Sequence, residues 1–95
     1  MARLSDAEID ERLAGGDWRR EGDHIVRDVE CAGFNAAMAL ANAVAEAANA
    51  VNHHPDILVH GYKHVRLTLS THSAGGITEN DLGLAGAIDG LAGAA

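Results

Sequence analysis

The sequence predicts an α+β domain in two layers, a four-stranded antiparallel sheet with helices on one of its faces. Apolar residues recur at helical spacing over residues 34–51 and alternate as in a strand over residues 64–70. The order strand, strand, helix occurs twice, after a short N-terminal helix, and this order favours a sheet covered on one side. A chain of 95 residues has the size of one domain, which we predict to cover residues 1–95.

The first helix is predicted by its capping residues. Ser5 and Glu8 have the spacing of a capping box, and Leu4 and Ile9 stand on either side of it at the positions of a hydrophobic staple. The helix is expected from about Asp6 to Ala14, because two glycines follow it directly.

A hairpin is predicted next, with strands over Trp18–Glu21 and His24–Cys31. The dipeptide Gly22-Asp23 between them suits a two-residue turn. Arg27 interrupts the apolar face of the second strand. Trp18 is expected to pack at the edge of the core, and Cys31 to be an inert buried thiol.

The long helix is predicted from Phe34 to Val51, where apolar residues recur at intervals of three and four. The predicted buried stripe comprises Phe34, Ala37, Met38, Ala41, Val44, Ala45, Ala48 and Val51. Asn52 and Pro55 mark the end of this helix, because the residue before a proline is biased away from helical geometry.

A second hairpin and a last helix complete the pattern. Strands are expected over Ile57–Val59 and His64–Ser70, with Val65, Leu67 and Leu69 directed inward. Residues 78–81 (TEND) can cap a final helix that has Leu84, Ile88 and Leu91 on one face. The other face of the sheet has no helix of its own, so a homodimer or homotetramer is expected.

Charge and composition exclude several functional classes. The formal net charge of −7 and the three aromatic residues argue against nucleic-acid binding, which depends on basic side chains and stacking. The longest apolar segment is too short and too interrupted to span a membrane. One cysteine permits no internal disulfide, and the N-terminus lacks the apolar stretch of a signal peptide. We therefore expect a soluble cytoplasmic protein.

Three histidines are the candidate catalytic residues. His53 and His54 come directly before Pro55, at the end of the long helix, and His72 follows the last strand. Imidazole titrates near neutral pH, so such a cluster could donate one proton and accept another within a single small pocket. Alternatively, the paired histidines could simply cap the helix end by donating to its last carbonyls. Metal binding is a weaker alternative, because adjacent histidines rarely converge on one ion.

Three segments stand out together: residues 52–56 (NHHPD), 65–72 (VRLTLSTH) and 74–82 (AGGITENDL). In combination they resemble the pterin-4a-carbinolamine dehydratases. The resemblance implies the same α+β fold, dimers or tetramers, and neither a metal nor a bound cofactor. It also implies dehydration of a 4a-hydroxytetrahydropterin to the quinonoid dihydropterin, in the recycling of tetrahydrobiopterin.

The resemblance also implies a set of site residues. His53, His54 and His72 would be catalytic, with His54 indispensable, and the substrate-binding residues would be Asn52, Pro55, Ser70, Thr71 and Asp81. Asp81 has a simpler explanation as an acid in the first turn of the last helix.

The chain departs from the family at a few positions. Asn49 stands where many members have glutamate, and Ile57 where many have tryptophan; both changes bear on affinity for the substrate. A second class stays open, because some members and relatives of this family bind a transcription factor or assist the assembly of a carbon-fixing enzyme. The three histidines favour the enzyme, since a protein that only binds has no need of them.

Overall fold

The four strands form one antiparallel sheet in the order β1-β2-β4-β3, with the helices packed on one face. This computed structural model describes residues 2–93 and 95; Met1 and Ala94 of the predicted domain lie outside them. The elements are α1 (Asp6–Leu13), β1 (Arg19–Glu21), β2 (His24–Glu30), α2 (Phe34–Val51), β3 (Asp56–His60), β4 (His64–Leu69), a short 3-10 turn (His72–Ala74) and α3 (Glu79–Ala92). The predicted fold class is confirmed.

The core lies between the sheet and the helices. On the central strand β4, Val65, Leu67 and Leu69 are fully buried, as their alternation predicted. Ile25 is paired with Leu69 across β2 and β4, and Ile88 of α3 is also fully buried. Because β4 lies in the middle of this core, it fixes the position of the segment that follows it, which carries His72.

The buried side of α2 differs from the predicted stripe. Ala37, Val44 and Ala48 are buried as expected, but Leu40 is buried in place of Met38. Phe34, Met38 and Val51 are 54%, 39% and 61% exposed. The reason is that α2 packs against α3 as well as against the sheet, which turns the buried stripe toward Leu40.

Arg27, which interrupts the apolar pattern of β2, is an ion-pair partner of α3. Its guanidinium donates to Asp89, and it also lies 3.5 Å from a carboxylate oxygen of Asp17. Asp89 also accepts a hydrogen bond of 2.8 Å from the indole Nε1 of Trp18, which is only 6% exposed. These contacts join the first hairpin to α3.

The other face of the sheet carries charged side chains. Asp28 accepts from Arg66 at 2.8 Å and lies 3.1 Å from a guanidinium nitrogen of Arg19. The hydrogen bond from Arg66 is the largest effect and lowers the pKa of Asp28; burial opposes it, and a second hydrogen bond from Arg19 lowers the pKa further. The predicted homodimer or homotetramer stays a prediction.

No helix within residues 2–93 is both long and apolar enough to cross a bilayer.

Candidate active site

The end of α2 directs the two adjacent histidines. Asn52 adopts the left-handed conformation, with φ of 51°, and its N–H donates to the carbonyl oxygens of Ala48 and Asn49. The N–H of His53 also donates to Ala48, at 3.1 Å. Pro55 follows, and β3 begins at the next residue, so the chain changes direction over these few positions.

His53 is hydrogen-bonded to a buried carboxylate. Its Nε2 lies 2.5 Å from Oδ1 of Asp81, a residue with no exposed surface. Oδ2 of Asp81 accepts a hydrogen bond of 2.7 Å from the hydroxyl of Thr71 and one of 2.9 Å from the N–H of Thr78. A carboxylate that accepts from Thr71 and Thr78 accepts from His53 as well, which assigns the donor of that bond to Nε2–H. The bond to Asp81 therefore engages Nε2 of the ring and not Nδ1.

His54 and His72 line one small pocket beside the sheet. The pocket has a volume of about 50 Å³, and its other lining residues are Asp56, Thr68 and Ser70. Nε2 of His54 lies 3.0 Å from the amide oxygen of Asn49, two residues before the end of α2. Two imidazoles at one pocket can supply a proton and remove another.

The sequence suggested one pocket for all three histidines, but the structure places them at two. His53 lines a second pocket of about 180 Å³ between the end of α2 and the start of α3. Val51, Asn80 and Gly83 lie beside it there. The separation arises in the turn after α2, where His53 and His54 diverge although they are neighbours in the chain.

Only one of the five predicted substrate-binding residues, Ser70, lines the first pocket. Ser70 lines the pocket of His54 and His72, and its hydroxyl donates to the carbonyl oxygen of Asp23 at 3.0 Å. Thr71 and Asp81 are buried and lie against each other, and neither lines that pocket. Asn52 and Pro55 are also absent from its lining, and both are accounted for by the turn that ends α2.

Sequence reasoning missed two polar residues of the first pocket. Asp56 and Thr68 line it and are directly opposite each other in the pairing of β3 with β4. The alternation of β4 placed Thr68 and Ser70 on the same outward face, so the signal for Thr68 was present. Asp56 could not be placed without the register of the hairpin.

No group of three or more histidine, cysteine or acidic side chains is arranged for a metal ion within residues 2–93 and 95. The arrangement offers two imidazoles at one pocket, a third backed by a carboxylate, and hydroxyl groups beside them.

Comparisons with known proteins identify the family. The family model for pterin 4 alpha carbinolamine dehydratase matches residues 2–91. A protein of Chloroflexus aurantiacus, provisionally named pterin-4-alpha-carbinolamine dehydratase, is 52% identical over 94 residues, which are 98% of this chain and all of that protein. A relative from Nocardia farcinica with the same provisional name is 51% identical and is covered to 94%.

Two solved structures share the fold. A transcriptional coactivator/pterin dehydratase from Brucella melitensis superposes with a TM-score of 0.88 at 30% identity, over 95% of this chain and 98% of that one. A pterin dehydratase-like protein described as a RuBisCO assembly factor gives 0.65 at 21% identity, over 80% and 87% of the two chains, which shows the fold alone. The chain belongs to the pterin-4a-carbinolamine dehydratase family.

Proposed function

We propose that the chain dehydrates a 4a-hydroxytetrahydropterin to the quinonoid dihydropterin by general acid and base catalysis. Membership in the dehydratase family supports a lyase, and the observation that carries the proposal is the convergence of His54 and His72 on one pocket. An imidazole can donate a proton or accept one, and the two halves of this reaction need one group of each kind.

The reaction requires two proton transfers and no oxidant. A protonated imidazole donates to the hydroxyl on C4a, the C–O bond breaks, and water leaves. A neutral imidazole removes the proton from N5, and the electron pair of that N–H bond forms the double bond between N5 and C4a. The residues beside the first pocket are suited to these steps because both imidazoles are close to the same small volume.

The size of the first pocket limits how the substrate can lie. A volume of about 50 Å³ has room for one or two water molecules, each of which takes roughly 30 Å³ in the liquid. We propose that the pocket receives the 4a-hydroxyl and the leaving water, while the bicyclic ring rests across its open side. Ser70 and Thr68 would then hydrogen-bond to the polar edge of the ring.

His53 is proposed as the third catalytic residue, acting from the second pocket rather than on the two protons that His54 and His72 transfer. Asp81 is bonded to its Nε2, so we propose that Nδ1 accepts a hydrogen bond from the part of the substrate ring that extends beyond the first pocket. Asp81 and Thr71 would act through His53 rather than by touching the substrate, because both are buried. This proposal replaces the direct contacts that the family resemblance suggested for these two residues.

The experiment compares single histidine substitutions in the dehydration of freshly generated 4a-hydroxytetrahydropterin, followed by absorbance. His54→Ala and His72→Ala are each expected to lose roughly 10²-fold or more in kcat, the usual contribution of a positioned acid or base. His60→Ala is the matched control, since its exposed ring lies at the hairpin turn, stacked on His64. Equal rates for His54→Ala and the control would contradict the proposal.

A binding function is the second candidate. The Brucella relative is named as a transcriptional coactivator as well as a dehydratase, and α2 here exposes the large apolar side chains of Phe34 and Met38. Exposed apolar residues of this size can mark a contact with another protein. A protein that only binds would leave the spontaneous dehydration unchanged, so the same assay separates the two candidates.

A further inference from the structure

Thr71 lies between two residues of the first pocket, but its side chain points elsewhere. Ser70 and His72 both line the pocket that contains His54. Thr71 is only 9% exposed, and its hydroxyl donates to Oδ2 of Asp81 at 2.7 Å. The segment that carries His72 is therefore bonded to the carboxylate that holds His53.

The protons available on Thr71 and Thr78 decide which atom donates in each hydrogen bond around Asp81. The hydroxyl oxygen of Thr78 accepts from the N–H of Asn80 at 3.2 Å, which leaves its own proton for the hydroxyl oxygen of Thr71 at 2.9 Å. Thr71 in turn donates to Asp81. A single ordered chain thus runs from Thr78 through Thr71 and Asp81 to the ring of His53.

The backbone at Thr71 and the cap of α3 are held by bonds other than those of this hydroxyl. The backbone of Thr71 is already held by its bridge to Gly76, with an N–H to carbonyl distance of 2.9 Å. At the start of α3, the side chains of Thr78 and Asp81 each accept from the backbone N–H of the other residue. This cap does not involve Thr71. A valine has nearly the shape of threonine, but it removes the partner of the Thr78 hydroxyl and one of the donors to the Asp81 carboxylate. The specific contribution of the Thr71 hydroxyl is therefore its hydrogen bond to Asp81.

We propose that Thr71 is a positioning residue that couples the two histidine pockets. Its hydroxyl fixes the Asp81 carboxylate, and hence the ring of His53, relative to the segment bearing His72. Removing the hydroxyl frees the carboxylate to rotate and loosens His53 and His72 relative to each other. The inference rests on the proposed dehydratase function, in which both histidines take part.

The test uses three variants of the full chain. Thr71→Val removes the hydroxyl, Thr71→Ser keeps it, and Val65→Ala weakens the core at the far end of β4 without touching the group. Two quantities are measured: kcat and KM for dehydration, and the low-field proton resonance of the His53 Nε2–H by NMR. The resonance reports the bond to Asp81 whether or not the protein is active.

Thr71→Val is expected to lose about tenfold in kcat with KM little changed, because one of the bonds that hold the Asp81 carboxylate is lost while the others remain. Its His53 resonance should broaden as the carboxylate rotates. Thr71→Ser should recover most of the rate and a sharp resonance, and Val65→Ala should resemble the wild type in both. The inference is overturned if Thr71→Val keeps the wild-type resonance, or if Val65→Ala shows the same losses. An inactive wild type with a resonance that depends on the Thr71 hydroxyl would refute the dehydratase proposal alone.

Discussion

Replacing Asp81 by asparagine should leave the chain folded and reverse the proton arrangement on His53. Asparagine has the same shape, and its amide oxygen can still accept from Thr71 and Thr78. Its NH2 group must then face His53, where the carboxylate oxygen now accepts at 2.5 Å. Because an amide NH2 only donates, Nε2 must become the acceptor and the ring proton moves to Nδ1.

The size of the effect follows from the bond that is lost. A hydrogen bond to a charged group contributes about 1.5–3 kcal/mol, and about 1.4 kcal/mol corresponds to a factor of ten in rate. We expect kcat to fall by roughly 10- to 100-fold from this loss. In the remaining tautomer Nδ1 carries the proton, whereas the proposed mechanism needs Nδ1 as an acceptor. We therefore expect a loss at the upper end of this range.

The assay combines steady-state kinetics with the nitrogen-15 shifts of the His53 ring, which distinguish the two tautomers. Asp89→Asn is the matched control, because Asp89 is also an acid of α3 that accepts from a ring N–H, that of Trp18. The control should lower stability and leave the His53 tautomer unchanged. The reasoning is refuted if Asp81→Asn retains the Nε2–H tautomer and the wild-type kcat.

Three further predictions concern other parts of the molecule. Leu67→Ala should lower the free energy of unfolding by about 2–5 kcal/mol, measured by urea denaturation, because Leu67 is fully buried in the central strand. Asn49→Ala removes the partner of the His54 ring and should reduce kcat by up to about tenfold; a larger loss from Asn49→Asp than from Asn49→Ala would argue against a simple orienting role. The pKa of Asp28 is lowered from 3.8 in the fold, so its charged form stabilises the protein at neutral pH and this contribution is lost as the pH falls below that value. The stability difference between wild type and Asp28→Asn should therefore be constant near neutral pH and shrink in acid, and a difference that grows in acid would contradict the assignment.

The fold could be predicted because local signals agreed with the final packing. The bounds of α2 were predicted from Phe34 to Val51 as they are found, since helical spacing and a stop at Asn52 and Pro55 coincide there. The alternation of β4 gave its buried face correctly. The buried side of α2 was partly wrong, because contact with α3 is a tertiary effect that the spacing of an alanine-rich helix does not specify.

The candidate site was harder to predict because its parts meet only through tertiary contacts. The sequence drew attention to all three histidines but could not show that His53 and His54 diverge into separate pockets. Asp81 satisfied a helix-capping pattern, and nothing local indicated that the same carboxylate binds His53, 28 positions earlier. Asp81 can do both, because its Oδ2 accepts from the N–H of Thr78 in the helix cap and its Oδ1 is bonded to the imidazole of His53.

The rate at which the wild-type chain dehydrates a 4a-hydroxytetrahydropterin tests the central claim most directly. The carbinolamine would be generated immediately before use, and its loss followed with and without protein whose folded state is confirmed by circular dichroism. We predict an acceleration over the spontaneous reaction that is proportional to protein concentration and saturates with substrate. A folded protein that leaves the spontaneous rate unchanged would contradict the account, and would favour a binding function for this member of the family.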